Sequence, residues 1–123
     1  AEDITADAMI LDTVGMLSRV YRYGHLALIG GGFGAGIHNT LEPMAYGLPV
    51  LFGPRIHKFR EALAMVEAGG AFTFETPDQL RDAILELVDT TNYKLASEQV
   101  KAYMGANKGA TERSVEAILA VWQ

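Results

Sequence analysis

Apolar positions along this chain come in two kinds of run. Met9–Leu11, Leu26–Ile29, Pro49–Phe52 and Ala71–Phe74 are short apolar stretches without alternation, as strands covered on both faces should be. Between them, apolar residues recur at helical spacing: Leu17, Val20 and Tyr21; Phe59, Leu63 and Val66; Leu80, Ile84, Leu87 and Val88. Glycines punctuate the pattern. Gly24, Gly47 and Gly69-Gly70 each close a helical stretch. Thr76, Pro77 and Gln79 form an explicit helix start: a cap, a proline in the first turn and a capping-box partner. Two last helices are predicted over Tyr93–Met104 and Glu112–Trp122, separated by a Gly105–Gly109 break with Thr111 as cap. The order βαβαβαβα and then α predicts an α/β fold, a Rossmann-like parallel sheet flanked by helices, with right-handed crossovers. Four strands are fewer than a complete Rossmann domain has. Further strand–helix units are therefore expected upstream of Ala1, and the sheet edge they would cover favours self-association.

The length, 123 residues, suits one domain spanning 1–123. The net charge of −5 comes without a basic run, which argues against a nucleic-acid partner. Cysteine is absent, so disulfide and thiolate chemistry are excluded. No apolar run approaches the ~20 residues of a membrane span, and a soluble chain is expected. There are no internal repeats or low-complexity tracts, and no signal peptide is expected at the N-terminus.

Candidate chemistry concentrates in His25–Pro54, HLALIGGGFGAGIHNTLEPMAYGLPVLFGP. Gly30-Gly31-Gly32-Phe33-Gly34-Ala35 fits G-x-G-x-x-A, a loop whose glycines let backbone approach a phosphate at a helix start. The bland alternative is a tight turn. A dehydrogenase site is disfavoured, because the next strand ends Phe52-Gly53-Pro54 without the acid that would hold a ribose. Glu42 lies in the first turn of the helix after this loop. It either offsets the helix dipole or accepts hydrogen bonds from both hydroxyls of a ribose, with Asn39 beside it. Asn39 or Thr40 caps that helix, and Pro43 fits its first turn. His38, between loop and helix, could donate to a phosphate. His25 and His57 read as surface residues, and the three histidines lack metal-ligand spacing. The turn Asp12–Met16 should flank the same crevice and present backbone amides to it. Tyr21, Met44, Phe59, Met65 and Trp122 read as core. No nucleophile–base pair stands out, so the chain looks like a nucleotide-holding half with the chemistry supplied from elsewhere.

Asn39-x-x-Glu42-Pro43, Ala45-x-Gly47-x-Pro49-Val50 and Gly53-Pro54 resemble the C-terminal domain of the Kdo (3-deoxy-D-manno-octulosonic acid) transferases. Asp12-Thr13-x-Gly15-x-Leu17, Gly30-Gly31, His38 and Asn107-x-Gly109-Ala110 extend the resemblance from about Ile10 to the C-terminus. The resemblance implies the donor domain of a two-Rossmann (GT-B) glycosyltransferase, cut at its N-terminal side. The parent enzyme would transfer Kdo from CMP-Kdo to a lipid A precursor, with inversion and without a metal or other cofactor, at the cytoplasmic face of the inner membrane of a Gram-negative bacterium. Nucleotide binding would fall to Val14, Gly15, Met16, Gly31, His38, Asn39, Thr40, Leu41 and Glu42, with Glu42 on the ribose. The catalytic base and the acceptor site would lie in the N-terminal domain, and this part alone would not turn over. Met16 stands where the family often has Glu, and the glycine loop is one residue short, with Ile37 in place of a common glycine. Two other readings stay open: a GT-B enzyme using a UDP-sugar, and a non-catalytic nucleotide-binding module.

Overall fold

A computed structural model describes residues 7–8, 10, 17–34, 36–37 and 39–122, with backbone alone at 17–18 and 108–122. The elements are α1 (Leu17–Val20), a 3-10 turn (Tyr21–Tyr23), β1 (Ala27–Leu28), α2 (Leu41–Ala45), β2 (Val50–Phe52), α3 (Arg60–Ala68), β3 (Ala71–Thr73), α4 (Pro77–Val88) and α5 (Thr90–Trp122). The strands form one parallel sheet in the order β1-β2-β3. Ala27 pairs with Val50, and Val50 pairs with Ala71, so the three strands are in step across the sheet. This is the α/β, Rossmann-like arrangement expected from the strand–helix alternation. The predicted strand at Met9–Leu11 lies outside the described residues.

Side chains divide between the faces with the strand period of two. Ala27, Ile29, Val50 and Phe52 pack with Met44, Leu48, Met65 and Val100 on one face, while Leu51 meets Leu87 and Ala96 on the other. The central strand β2 is buried at all three positions. β1 departs from the expected two-sided burial: Leu28 is 58% exposed. In the described sheet β1 is an edge strand: Ala27 and Ile29 face one packed layer, and on the other face Leu26 reaches the second layer while Leu28 is left uncovered.

Local signals set most helix ends. The Thr76 hydroxyl accepts from the Gln79 N–H at 3.2 Å, and the Gln79 side chain accepts from the Glu75 N–H at 2.7 Å. Gly69 closes α3 in the left-handed region, at φ 87°. The buried stripes differ from the predicted ones. In α3 the buried residues are Ala62 and Met65, while Leu63 is half-exposed; in α4 Leu87 is buried and Ile84 and Val88 are exposed. Met65 with Ala62 in α3, and Leu87 in α4, take the places against the strands, while Phe59, Val66 and Leu80 of the predicted stripes pack partly buried at the margins. Met44 and Met65 are fully buried, and Tyr21 and Phe59 pack partly buried against the core. The side chain of Trp122 lies outside the described residues.

The predicted break at Gly105–Gly109 is absent: α5 runs unbroken from Thr90 to Trp122. Two glycines cost a helix only about 1 kcal/mol each, and no proline interrupts this stretch. Asp89 starts the helix, its carboxylate accepting from the N–H groups of Thr91 and Asn92 at 3.0 and 3.2 Å. Val100 and Ala96 then anchor its first turns in the two core layers, so the rest of the helix needs only propagation.

Candidate functional site

The chain leaves β1 through Ile29 and Gly30 into the glycine loop. That loop folds back on itself. Gly31 bridges Ile37, and the Gly32 N–H donates to the Gly36 carbonyl at 2.8 Å. It is also tied to the turn after β2. The Gly31 carbonyl accepts from the Gly53 N–H at 3.1 Å, and the Gly32 carbonyl accepts from the Arg55 N–H at 2.6 Å. Gly31 and Gly32 both have positive φ, 100° and 83°. A Cβ on Gly32 would stand 2.5 Å from the Gly53 carbonyl oxygen. Here glycine serves the contact of one backbone with another. Gly32 is buried and its N–H is already engaged, so it presents no amide to a ligand.

Past the loop, the Asn39 side chain caps the start of α2. Its Oδ1 accepts from the Leu41 N–H at 2.9 Å. Thr40, the formal cap of α2, makes no side-chain capping bond and is buried. The short helix α2 then places Glu42 in its first turn and buries Pro43 and Met44. Its far end is pinned to α5: the buried Ser97 hydroxyl donates to the Gly47 carbonyl at 2.8 Å. Ser97→Ala would leave that carbonyl without its donor. Loss of about 1–3 kcal/mol of stability is expected, read as a lower midpoint in urea unfolding.

These elements frame a cleft of about 530 Å³. One wall is β1 and its flanks, Leu26 to Gly30; the others are Tyr21, Asn39 and Glu42. Glu42 is exposed to it. The one ion pair among the described residues is Arg81–Asp82, so none of their cations pairs with Glu42. The Tyr21 phenol is held above its ordinary pKa, first by burial and then by the Glu42 carboxylate, and stays a neutral hydrogen-bond donor at physiological pH. Among the described residues no group of His, Cys, Asp or Glu side chains converges as metal ligands, and no helix is long and apolar enough to cross a membrane.

Of the residues singled out by sequence, Asn39 and Glu42 meet in this cleft. Gly31, Thr40 and Leu41 do not line it: Gly31 is engaged in the loop, Thr40 is buried, and Leu41 is half-exposed. Val14, Gly15, Met16 and His38 lie outside the described residues. Sequence reasoning missed Tyr21 and the β1 wall. Helical spacing assigns Tyr21 to the core, and nothing local marks it as sharing a cavity with Glu42. His25 and His57 are exposed, as expected.

No protein-family model matches the chain. Over most of its length it is similar to 3-deoxy-D-manno-octulosonic acid transferases. With that of Aquifex aeolicus (strain VF5) it shares 31% identity over 106 residues, covering 85% of this chain and 30% of that protein. With that of Bordetella pertussis it shares 32% over 116 residues, covering 91% and 27%. The chain therefore spans less than a third of the length of these curated relatives. Among solved structures, the crystal structure of the C-terminal CMP-Kdo binding domain of WaaA from Acinetobacter baumannii has the same fold. Its TM-score is 0.67 at 23% identity, covering 76% of this chain and 51% of that one. The resemblance carried by the residue motifs and the α/β Rossmann-like class are both borne out.

Proposed function

We propose, from the premise that this chain is kin to the 3-deoxy-D-manno-octulosonic acid transferases over most of its length, that it is the donor-binding part of such a glycosyltransferase and that the cleft beside β1 receives the CMP moiety of CMP-Kdo. One observation carries the assignment: Asn39 and Glu42 line one cleft, and Glu42 has no ion-pair partner among the described residues. An ionised carboxylate accepts only, and two vicinal ribose hydroxyls supply two donors to its two oxygens. The Asn39 Oδ1 is already engaged with the Leu41 N–H, which leaves its amide N–H₂ to donate to the nucleotide. Acceptor and donor roles are thereby divided between the two side chains. In this reading the turn of Val14, Gly15 and Met16, together with His38, completes the donor site.

The parent reaction would transfer Kdo to a lipid A precursor in lipopolysaccharide synthesis, at the cytoplasmic face of the inner membrane. Catalysis would come mainly from holding the donor in register with the acceptor. A base from a second domain would take the proton of the acceptor hydroxyl, with inversion at the transferred centre and without a metal or other cofactor. Calorimetry on this chain with CMP, UMP and UDP tests the donor. A preference for CMP of about tenfold or more, or about 1.4 kcal/mol, is expected. Preference for a uridine nucleotide would overturn the assignment in favour of a UDP-sugar enzyme.

A further inference from the structure

Tyr21 shares the cleft with Glu42 although it comes from the turn before β1, an element with no local tie to α2. Its ring lies 6.5 Å from that of Tyr46, tilted by 40°. Tyr46 is the C-cap of α2 and lies one helical repeat beyond Glu42, so the two side chains rise from one face of the helix. Tyr21 therefore runs along the face that carries Glu42, and its ring is braced on Tyr46 and on the core layer beneath.

We infer that Tyr21 is the positioning residue of the cleft: its braced ring holds a phenol on the wall it shares with Glu42 and narrows the range of that side chain at the mouth where a ribose would be held. The inference rests on the donor-site reading for what Glu42 binds, but not for the coupling of the two side chains. A free glutamate on an exposed helix turn explores several rotamers, and each must be given up on binding. A phenol held on the same cleft wall would reduce that loss by offering the carboxylate one fixed donor. The direction of the Tyr21 pKa shift fits this, since Glu42 is one of its causes. Tyr21 does not touch the reacting bond in this assignment. It acts through Glu42.

The test is a double-mutant cycle on CMP binding, paired with a titration that needs no ligand. Tyr21→Phe keeps the ring and its packing. It should weaken CMP about fivefold in the wild-type background and less than about twofold in Glu42→Gln. It should also reduce the preference for CMP over 2′-deoxy-CMP, a ratio that a merely structural role would leave alone. In parallel, tyrosine labelled with ¹³C at Cζ reports the phenol titration by NMR, with Tyr21→Phe assigning the resonance among the 5 tyrosines. Glu42→Gln should lower the Tyr21 pKa, because the carboxylate no longer disfavours the phenolate. A Tyr21→Phe loss equal in both backgrounds, or a Tyr21 titration indifferent to Glu42→Gln, would overturn the inference. If wild type binds no CMP, the donor-site reading fails on its own, and the titration still decides whether the two side chains are coupled.

Discussion

Glu42→Ala is expected to weaken CMP binding by about 100-fold or more while leaving the fold intact. Hydrogen bonds to a charged group contribute about 1.5–3 kcal/mol each, and removing the carboxylate takes away the acceptor for both ribose hydroxyls. Glu42 is exposed and without an ion-pair partner among the described residues, so its structural role is confined to the helix dipole. That is worth less than about 1 kcal/mol. The loss should be specific to the sugar: 2′-deoxy-CMP, which keeps only the 3′-hydroxyl, should bind wild type more weakly than CMP and lose less on the substitution. Isothermal calorimetry with both nucleotides, on both proteins, measures all of this. Equal CMP affinity for wild type and Glu42→Ala would remove the basis of the donor-site assignment.

Gly32→Ala should cost about 3–5 kcal/mol of stability, with a fall in Tm of about 10 °C or more on the size scaling of small domains. Two effects add. A non-glycine residue held at φ 83° costs about 1–3 kcal/mol, and a Cβ at this site meets three backbone atoms of Gly53 at 2.5–2.7 Å. Those atoms cannot rotate aside as a side chain would, so the loop and the turn after β2 must part. That breaks the Gly53–Gly31 and Arg55–Gly32 hydrogen bonds. Gly53→Ala should reproduce the effect from the other side, because its Cβ would meet the Gly32 carbonyl carbon at 2.5 Å. Gly34→Ala is the control. Its Cβ has nothing within 4 Å, and its φ is not positive, so stability should change by less than about 0.5 kcal/mol. Thermal unfolding monitored by circular dichroism separates these cases. A Gly32→Ala protein as stable as the control would mean that loop and turn are not in contact.

The glycine loop shows where reading residues in order stops being enough. Gly30 to Ala35 matches a phosphate-binding pattern as letters, yet Gly32 is used where two backbones cross. Only the position of Gly53 reveals that, and Gly53 lies on the far side of a helix and a strand. The helix ends were easier. Thr76 with Gln79, and Gly69 at its positive φ, act within a single turn, so the residues that make each device are neighbours in sequence. The stripes of α3 and α4 were harder, because periodicity names a face without saying which residues fit against a strand already in place.

The amino-acid sequence by itself determined the alternation of strands and helices, the capped helix starts, and the arrival of Glu42 in the first turn after a glycine loop. Each arises from chemistry within a few residues. The tertiary structure alone decided that Leu28 is left exposed at a sheet edge, that Gly32 is spent against Gly53, and that Tyr21 joins Asn39 and Glu42 around one cleft. The reason is that parallel strands are joined by crossovers, so residues that meet across the sheet are far apart along the chain, and local periodicity carries no record of which distant position they meet.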